Sequence, residues 1–327
     1  MAEVAPRFPL LNDFQRDFPL VARPFAEIGR RCGMPEQAVL EDLRRLADEG
    51  VVSRVGVVFA ANAVGAGTLA AMEVPPAELD EVAAVVSAQP EVNHNYEREH
   101  AYNLWFVVTA PSRAAVSAAL RRIARLAGYE VLSLPLIEEY HIDLGFDLAG
   151  GGAPRAPRPP QAAAALGAAE RRLLAAVERG FELVPEPFEA LAREAGMSAP
   201  EVISTLERWL AEGAARRIGV VLRHRALGYT ANAMAVWDVP DLFVSGIGAR
   251  LARRPEVTLC YRRERRPPEW RYNLYCMIHG RDRLAVERQI AAIEREEKLF
   301  DVPHEILFSR RAFKQRGARY GGGKQRG

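Results

Sequence analysis

The feature that most constrains this chain is that it is written twice. Gly33-Met34 returns as Gly196-Met197, Glu49-Gly50 as Glu212-Gly213, and Arg54-Val55-Gly56-Val57-Val58 as Arg217-Ile218-Gly219-Val220-Val221, all at an offset of 163. The echo begins earlier, with Arg23-Pro24-Phe25 and Glu186-Pro187-Phe188. Pro90-Glu91-Val92 returns as Pro255-Glu256-Val257, and Tyr102-Asn103-Leu104-Trp105 as Tyr272-Asn273-Leu274-Tyr275, so the offset grows to 165 and then 170. Small insertions in the second copy account for this, the largest around Arg265–Glu269. A period this long marks a duplicated domain pair; solenoid units run to about 20–50 residues. The Gly/Pro/Ala-rich stretch AGGGAPRAPRPPQAAAA sits between the copies, and residues 149–169 read as a linker. The terminal GARYGGGKQRG reads as a disordered tail.

Each copy divides again. Residues 8–50 carry apolar positions at helical spacing: Leu10, Leu11, Phe14; Phe25, Ile28; Val39, Leu43, Leu46. Gly33 and Gly50 suit helix ends and Pro35 a first helical turn. Three short helices followed by the extended run Val51–Phe59 predict a winged helix-turn-helix. Then follow a strand at Thr68–Val74, a helix at Ala77–Ser87, and a strand pair at Val92–Glu97 and Tyr102–Thr109. A helix at Arg113–Ala127 and a strand at Val131–Ile142 complete the unit. The order βαββαβ is that of a ferredoxin-like unit. The fold class is therefore α+β, a tandem repeat of winged helix-turn-helix plus ferredoxin-like domain. The expected boundaries are 8–62 and 66–148 in the first copy, and 170–225 and 229–315 in the second.

Charge argues against a nucleic-acid binder: 44 Lys and Arg balance 42 Asp and Glu. The candidate recognition helix PEQAVLEDLRRLADEG carries Glu36, Glu41, Asp42, Asp48 and Glu49 against Arg44 and Arg45. Its counterpart has Glu201, Glu207 and Glu212 against Arg208. Net-acidic helices are repelled by phosphates, so DNA binding is not expected, although Arg54, Arg216, Arg217, Arg223 and Arg225 in the wings leave a contact there open. No stretch reaches the roughly 18 apolar residues of a membrane helix, and no basic-then-apolar leader opens the sequence. Cys32, Cys260 and Cys276 are scattered, with no CxxC spacing, and read as buried thiols in a reducing compartment. A cytoplasmic protein without a membrane partner is expected.

The winged helix-turn-helix joined to βαββαβ resembles the Lrp/AsnC family, whose members pair their sheets into dimers. Here the tandem copies would form that dimer within one chain, with further homo-oligomerisation left open. A more specific resemblance lies in Asn93-His94-Asn95-Tyr96-Glu97-Arg98-Glu99-His100-Ala101-Tyr102-Asn103-Leu104-Trp105-Phe106. This run is similar to that of the siroheme decarboxylases. The second copy keeps Tyr261, Arg263 and Tyr272-Asn273-Leu274-Tyr275, and ends with Glu305-Ile306-Leu307-Phe308-Ser309-Arg310-Arg311, so the chain resembles a fusion of the two subunits of that family.

The resemblance implies a carboxy-lyase of porphyrin biosynthesis. It would remove two acetate carboxylates from siroheme to give 12,18-didecarboxysiroheme, in haem d1 or alternative haem formation. It implies no cofactor of the protein's own, the substrate being an iron tetrapyrrole. Such a reaction needs an apolar slot for the ring, cations for its carboxylates and a proton donor titrating near neutrality, which points to histidine.

His94 and His100 are the candidate acid/base groups. Positions 94, 96, 98 and 100 share a face of an extended strand, although a turn before the next strand would break that register near His100. Tyr96, Arg98 and Tyr102 are the adjacent candidates for binding substrate, Arg98 by gripping a carboxylate. The plain alternative is a solvated polar hairpin. His94 aligns with Leu259 and His100 with Trp270, which predicts one catalytic site per chain. Arg54 and Arg217, at equivalent positions, and Arg263, Arg265 and Arg271, in a basic loop with Arg262 and Arg266, are candidates for the substrate rim. His141 is a candidate axial ligand of the substrate iron. His224, His279 and His304 are bland candidates beside it. Trp105, Phe106 and Tyr275 read as core strand residues. An ordinary regulator and a non-catalytic haem-binding sensor are the rival readings.

Overall fold

The computed structural model describes residues 8–142, 166–223 and 228–321. Most of the expected linker, with His224 and Arg225, lies outside these residues. In the first half, α1 (Phe8–Asn12), α2 (Pro24–Cys32) and α3 (Glu36–Asp48) precede the wing β1 (Val52–Phe59). Next come β2 (Ala66–Met72), α4 (Leu79–Ala88), β3 (Val92–Arg98), β4 (Leu104–Ala110), α5 (Arg113–Ala127) and β5 (Leu132–Ile142). The second half repeats the order: α6 (Ala168–Val177), α7 (Pro187–Ala195), α8 (Ala199–Ala211), β6 (Ala215–Leu222) and β7 (Ala231–Trp237). It ends with α9 (Asp241–Leu251), β8 (Val257–Arg263), β9 (Leu274–Gly280), α10 (Arg283–Glu297) and β10 (His304–Gln315). Helix α6 starts at Ala168, inside the stretch expected to be linker, because Glu170 reaches back 2.8 Å to the Gly167 N–H and satisfies an otherwise orphaned donor.

The two halves complete one another. The last strand of each half is long, 11 residues in β5 and 12 in β10. Each starts in its own half and finishes in the other. β5 pairs with β2 over Leu132–Pro135, then crosses to β8 over Leu136–Ile142. β10 pairs with β7 over His304–Phe308, then crosses to β3 over Ser309–Gln315. The eight strands close into a barrel of order β10-β3-β4-β2-β5-β8-β9-β7, so the barrel has no open edge. Helices α4 and α5 cover the outer face of the first half around Phe106 and Ile123, and α9 and α10 that of the second around Trp237 and Ile290.

The wings pair with each other. β1 and β6 form a separate antiparallel ribbon with Gly56 opposite Gly219 at its centre, the local two-fold position. Both glycines admit a crossing chain. A Cβ on Gly219 would lie 2.2 Å from the Phe14 carbonyl oxygen, and one on Gly56 3.1 Å from the Cα of Gly180. The chain that crosses β6 belongs to the first half, and the one that crosses β1 to the second. A single apolar cluster therefore runs through both helix-turn-helix units, from Phe14, Phe18 and Phe25 to Phe181, Phe188 and Trp209.

The segment expected to be a disordered tail departs from expectation in its described part, residues 322–327 lying outside the described residues. Residues Gly317–Gly321 are docked. Tyr320 is 5% exposed, edge-on to Phe59 at 6.4 Å, and the backbone N–H groups of Tyr320 and Gly321 both donate to Glu178. The cysteines, scattered in sequence, meet in part: Cys260 and Cys276 face each other across β8 and β9 with Sγ atoms 3.4 Å apart. They are free thiols, and burial pushes the Cys260 thiol well up, which keeps it in the protonated, unreactive form. No helix among the described residues is long and apolar enough to cross a membrane.

Candidate active site

Within the barrel the packed core fills one end, around Trp105, Trp270, Tyr275, Leu134 and Leu307. Toward the wing ribbon the interior opens into a cavity of about 370 Å³, a size usual for small-molecule sites. Strand alternation delivers its walls in pairs. β3 supplies His94, Tyr96 and Arg98; β8 supplies Leu259, Tyr261 and Arg263 at the equivalent places. β4 supplies Trp105, Val107 and Thr109; β9 supplies Met277 and His279. The ribbon contributes Arg54, Val57 and Val221, and the docked tail contributes Arg316, Gly317, Ala318 and Tyr320.

The cavity is cationic although the chain as a whole is nearly neutral. Among the described residues lining it, Arg54, Arg98, Arg263 and Arg316 face one acid, Glu178. Burial raises the Glu178 carboxyl above its ordinary value, and its Oε1 is taken up by the tail N–H groups. Arg98 and Arg263 also hold the seam between halves. Arg98 Nη1 donates to the Leu307 carbonyl at 2.9 Å, and Arg263 Nη1 to the equivalent Leu134 carbonyl at 2.7 Å. Each guanidinium lies over a wall tyrosine, Arg98 at 5.8 Å from the Tyr96 ring and Arg263 at 4.5 Å from Tyr261. The Nε atoms of Arg54, Arg263 and Arg316 are buried without a hydrogen-bond partner among the described residues. Burial lowers the pKa of both Arg54 and Arg316. A buried guanidinium with donors to spare is stabilised by an incoming anion.

His94 is half-buried, its Nδ1 is 3.3 Å from the Tyr96 hydroxyl, and the two rings stack at 6.0 Å. Imidazole, phenol and guanidinium therefore follow one another along the inner face of β3, as the spacing predicts.

His100 does not join them. It lies in the β3–β4 turn, where the backbone leaves the strand and the period of two ends. Its Nδ1 accepts the Tyr102 N–H at 2.9 Å, its ring stacks on Tyr102 and meets Trp270 edge-on at 5.4 Å, and burial lowers its pKa. His100 and Trp270, equivalent in sequence, thus touch each other at the barrel's packed end, and Tyr102 lies with them, away from the cavity wall.

Other expected site residues are drawn elsewhere. Arg217 is 5% exposed beneath the N-terminal crossing, where Nη1 donates to the Gln15 carbonyl at 2.6 Å and to Val220 at 3.1 Å. Arg265 and Arg271 are neutralised by Asp238 at 2.9 and 2.7 Å, and Arg265 and Arg262 by Asp241, both at 2.8 Å. Arg265 beside Asp241 holds that carboxyl below its usual range. His141 is 7% exposed near the end of β5, beyond Leu136, the residue of that strand in the wall, with a bulge intervening between Glu139 and His141. Conversely, His279 and Arg316 line the cavity without having been singled out. For His279 the usable signal was the alternation Tyr275, Met277, His279 on β9. For Arg316 there was none, because its position depends on the tail.

Comparison with known proteins agrees with this architecture. The AsnC-like ligand binding domain matches residues 63–141 and 226–314, and the siroheme decarboxylase NirDL-like HTH domain matches residues 9–52 and 170–216. The siroheme decarboxylase NirDL subunit of Paracoccus denitrificans is 46% identical over 309 residues, 94% of this chain and 95% of that protein. The siroheme decarboxylase NirL subunit of Stutzerimonas stutzeri is 49% identical over 150 residues, 46% of this chain and 86% of that protein. A crystal structure of the siroheme decarboxylase NirDL in co-complex with an iron-uroporphyrin III analogue has a TM-score of 0.69 at 27% identity, covering 98% of this chain and 95% of that one. With both domain types matched in each half and a fused relative matched end to end, the chain belongs to the siroheme decarboxylase family in its NirDL form.

Proposed function

We propose that the chain decarboxylates siroheme in the barrel cavity, removing two acetate carboxylates to give 12,18-didecarboxysiroheme. The observation that carries this reading is the convergence of Arg54, Arg98, Arg263 and Arg316 with a half-buried imidazole on one aromatic-walled cavity in a chain of net charge +2. A flat ring bearing carboxylates around its rim matches such walls, and the related NirDL protein crystallised with an iron-uroporphyrin III analogue supports it. Arg98 and Arg263 take carboxylates on opposite sides of the ring, with Arg54 and Arg316 adding charge from the wing side. His94 delivers a proton to the carbon that loses carbon dioxide, and Tyr96 orients its ring. His100 and Tyr102 act as positioning residues that fix the β3–β4 hairpin.

DNA binding fits less well. The wings, which in a winged helix reach the phosphate backbone, pair with each other over their length, and Arg45 and Arg208 are held by Asp42 and by Glu170 and Glu212. The deciding experiment is anaerobic incubation of the purified protein with siroheme, followed by mass spectrometry. Loss of two carbon dioxide masses is expected. An unchanged but tightly bound ring would refute catalysis and leave a binding or sensing role.

A further inference from the structure

Arg54 and Arg217 hold equivalent places on the two wings and begin alike. Nη2 of Arg54 donates to the Val57 carbonyl at 3.2 Å, and Nη1 of Arg217 to the equivalent Val220 carbonyl at 3.1 Å. They then part: Arg217 turns to the Gln15 carbonyl beneath the crossing chain, whereas Arg54 lines the cavity. What lies against Arg54 is the docked tail. A Cβ built on Gly317 would fall 2.8 Å from both Cζ and Nη1 of Arg54 and 2.9 Å from Nη2. Near-equal distances to three atoms of one planar group place that position over the flat face of the guanidinium. A second glycine closes on the stem: a Cβ on Gly180 would lie 3.1 Å from Cβ of Arg54 and 3.3 Å from its Cδ. The two glycines differ in what requires them. Gly180 has φ +95°, which favours glycine by itself. Gly317 is not among the glycines of positive φ, and the atoms nearest its missing side chain all belong to the Arg54 guanidinium.

Building on the siroheme reading, we propose that Gly317 is a positioning residue for substrate binding: it lets the docked tail lie flat on the Arg54 guanidinium and holds that cation aimed at a carboxylate on the wing side of the ring. The donors of a guanidinium lie in its plane, so packing on its face blocks none of them. Nε of Arg54 is buried without a hydrogen-bond partner among the described residues, which leaves it a donor to give. An arginine side chain loses much rotamer freedom when it binds an anion, and the clamp removes that freedom before the substrate arrives. A methyl group at position 317 has room only where the guanidinium now lies. That group is the far end of a flexible side chain, so it swings aside, the fold survives, and the cavity loses an aimed cation.

The test is anaerobic siroheme titration of the full chain as wild type, Gly317→Ala, Arg54→Ala and the double variant, with amide exchange over 318–321 and turnover measured on each. Gly317→Ala is expected to raise Kd roughly 10-fold or more, the loss of a charge-assisted bond, while the tail keeps its protection. In turnover the loss is expected mainly in KM, because an interaction with the bound ring is removed and not one confined to the reacting carbon. Arg54→Ala is expected to raise Kd at least as much, and adding Gly317→Ala to it is expected to change Kd by less than about twofold, because the cation that the glycine serves is already gone. A glycine that only shapes the tail would cost the same factor in both backgrounds. The double variant has no clash at position 317, so it folds even if Gly317→Ala alone does not. Wild-type affinity in Gly317→Ala, additive losses in the double variant, or a tail that lifts in Gly317→Ala while Arg54 stays would overturn the clamp. A wild-type protein that binds no siroheme would overturn the siroheme reading itself.

Discussion

The docked tail gives the sharpest quantitative expectation, for Tyr320→Ala. The strap from Arg316 to Gly321 ties the barrel to the second helix-turn-helix. The Arg316 N–H donates to the Asn93 carbonyl at 2.9 Å, Thr109 exchanges hydrogen bonds with Arg319, and Glu178 receives the last two N–H groups. At about 1 kcal/mol each, these bonds do no more than offset the roughly 1–2 kcal/mol per residue that ordering the strap costs. The Tyr320 ring therefore decides whether the strap stays down. Buried against Phe59, with Gly65 leaving room where a Cβ would fall 2.5 Å from the ring, it removes on the order of 150–250 Å² from water. At about 25 cal/mol per Å² that is about 4–6 kcal/mol as an upper limit, consistent with the roughly 3–5 kcal/mol usual for deleting a buried aromatic ring.

Tyr320→Ala should thus leave the strap detached most of the time while the barrel stays folded. Amide exchange over 317–321 should accelerate at least about 100-fold, and trypsin should cut after Arg316 and Arg319. Without the charge-assisted bond from Arg316, about 1.5–3 kcal/mol, KM for siroheme should rise roughly 10- to 150-fold. Tyr320→Phe should change neither exchange nor KM by more than about threefold, since it keeps the ring. Wild-type protection and KM in Tyr320→Ala would refute the claim that this ring closes the cavity.

Gly219→Ala should lower stability by more than about 3 kcal/mol in urea titration, because its Cβ meets backbone, the Phe14 carbonyl at 2.2 Å, rather than a side chain that can swing away. Gly128→Ala is the control; its Cβ would meet open space, its φ is +75°, and it should cost about 1 kcal/mol. Glu178, whose carboxyl is raised by burial, contributes stability that is present below about pH 4.5 and lost as pH rises through its folded value. Glu178→Gln keeps the acceptor for the tail, so it should gain stability over wild type as melts move from pH 4 to pH 8. Burial lowers the His100 pKa, so its contribution is full above about pH 6.5 and lost as pH falls. His100→Phe should flatten the acid limb of stability while keeping turnover within about tenfold, and a thousandfold loss of turnover in the folded variant would return His100 to the chemistry.

Much of this was legible because repeats and strand periods are local signals. The doubled order of elements follows from the constant offset, and the inward run His94, Tyr96, Arg98 follows from alternation alone. What was not legible depends on partners distant in sequence. Nothing in Leu132–Ile142 says that its second part leaves its own sheet for β8, and the bulge between Glu139 and His141 changes which residues face inward beyond Leu136. The arginines at 262, 265 and 271 read as free cations until the fold brings Asp238 and Asp241 to them. His279 read as unremarkable because comparison at one position found only Leu259, whereas the imidazole had moved to the next strand. The segment 317–321 shares the small-residue composition of a disordered tail, and a single tyrosine with a prepared pocket overrides it there.

The barrel's two-fold frame and its asymmetric contents serve different ends. Arg98 with Arg263, and Tyr96 with Tyr261, are equivalent, and a ring with carboxylates on opposite sides satisfies such a frame equally well after half a turn. Symmetric anchors alone would therefore bind the substrate in two orientations of equal energy. The residues that break the symmetry lie along the same walls: His94 against Leu259, His279 against Thr109, and Arg54 facing the cavity while its counterpart Arg217 is buried beneath Gln15. Among the described residues, the tail after β10 adds Arg316 to the wall. A single charge-assisted bond present in one orientation and absent in the other, about 1.5–3 kcal/mol, biases binding roughly 10- to 150-fold. Fusing two copies into one chain makes this possible, because each half can drift at the wall positions while the seam arginines and paired strands hold the frame. A homodimer would have to carry every such change on both sides.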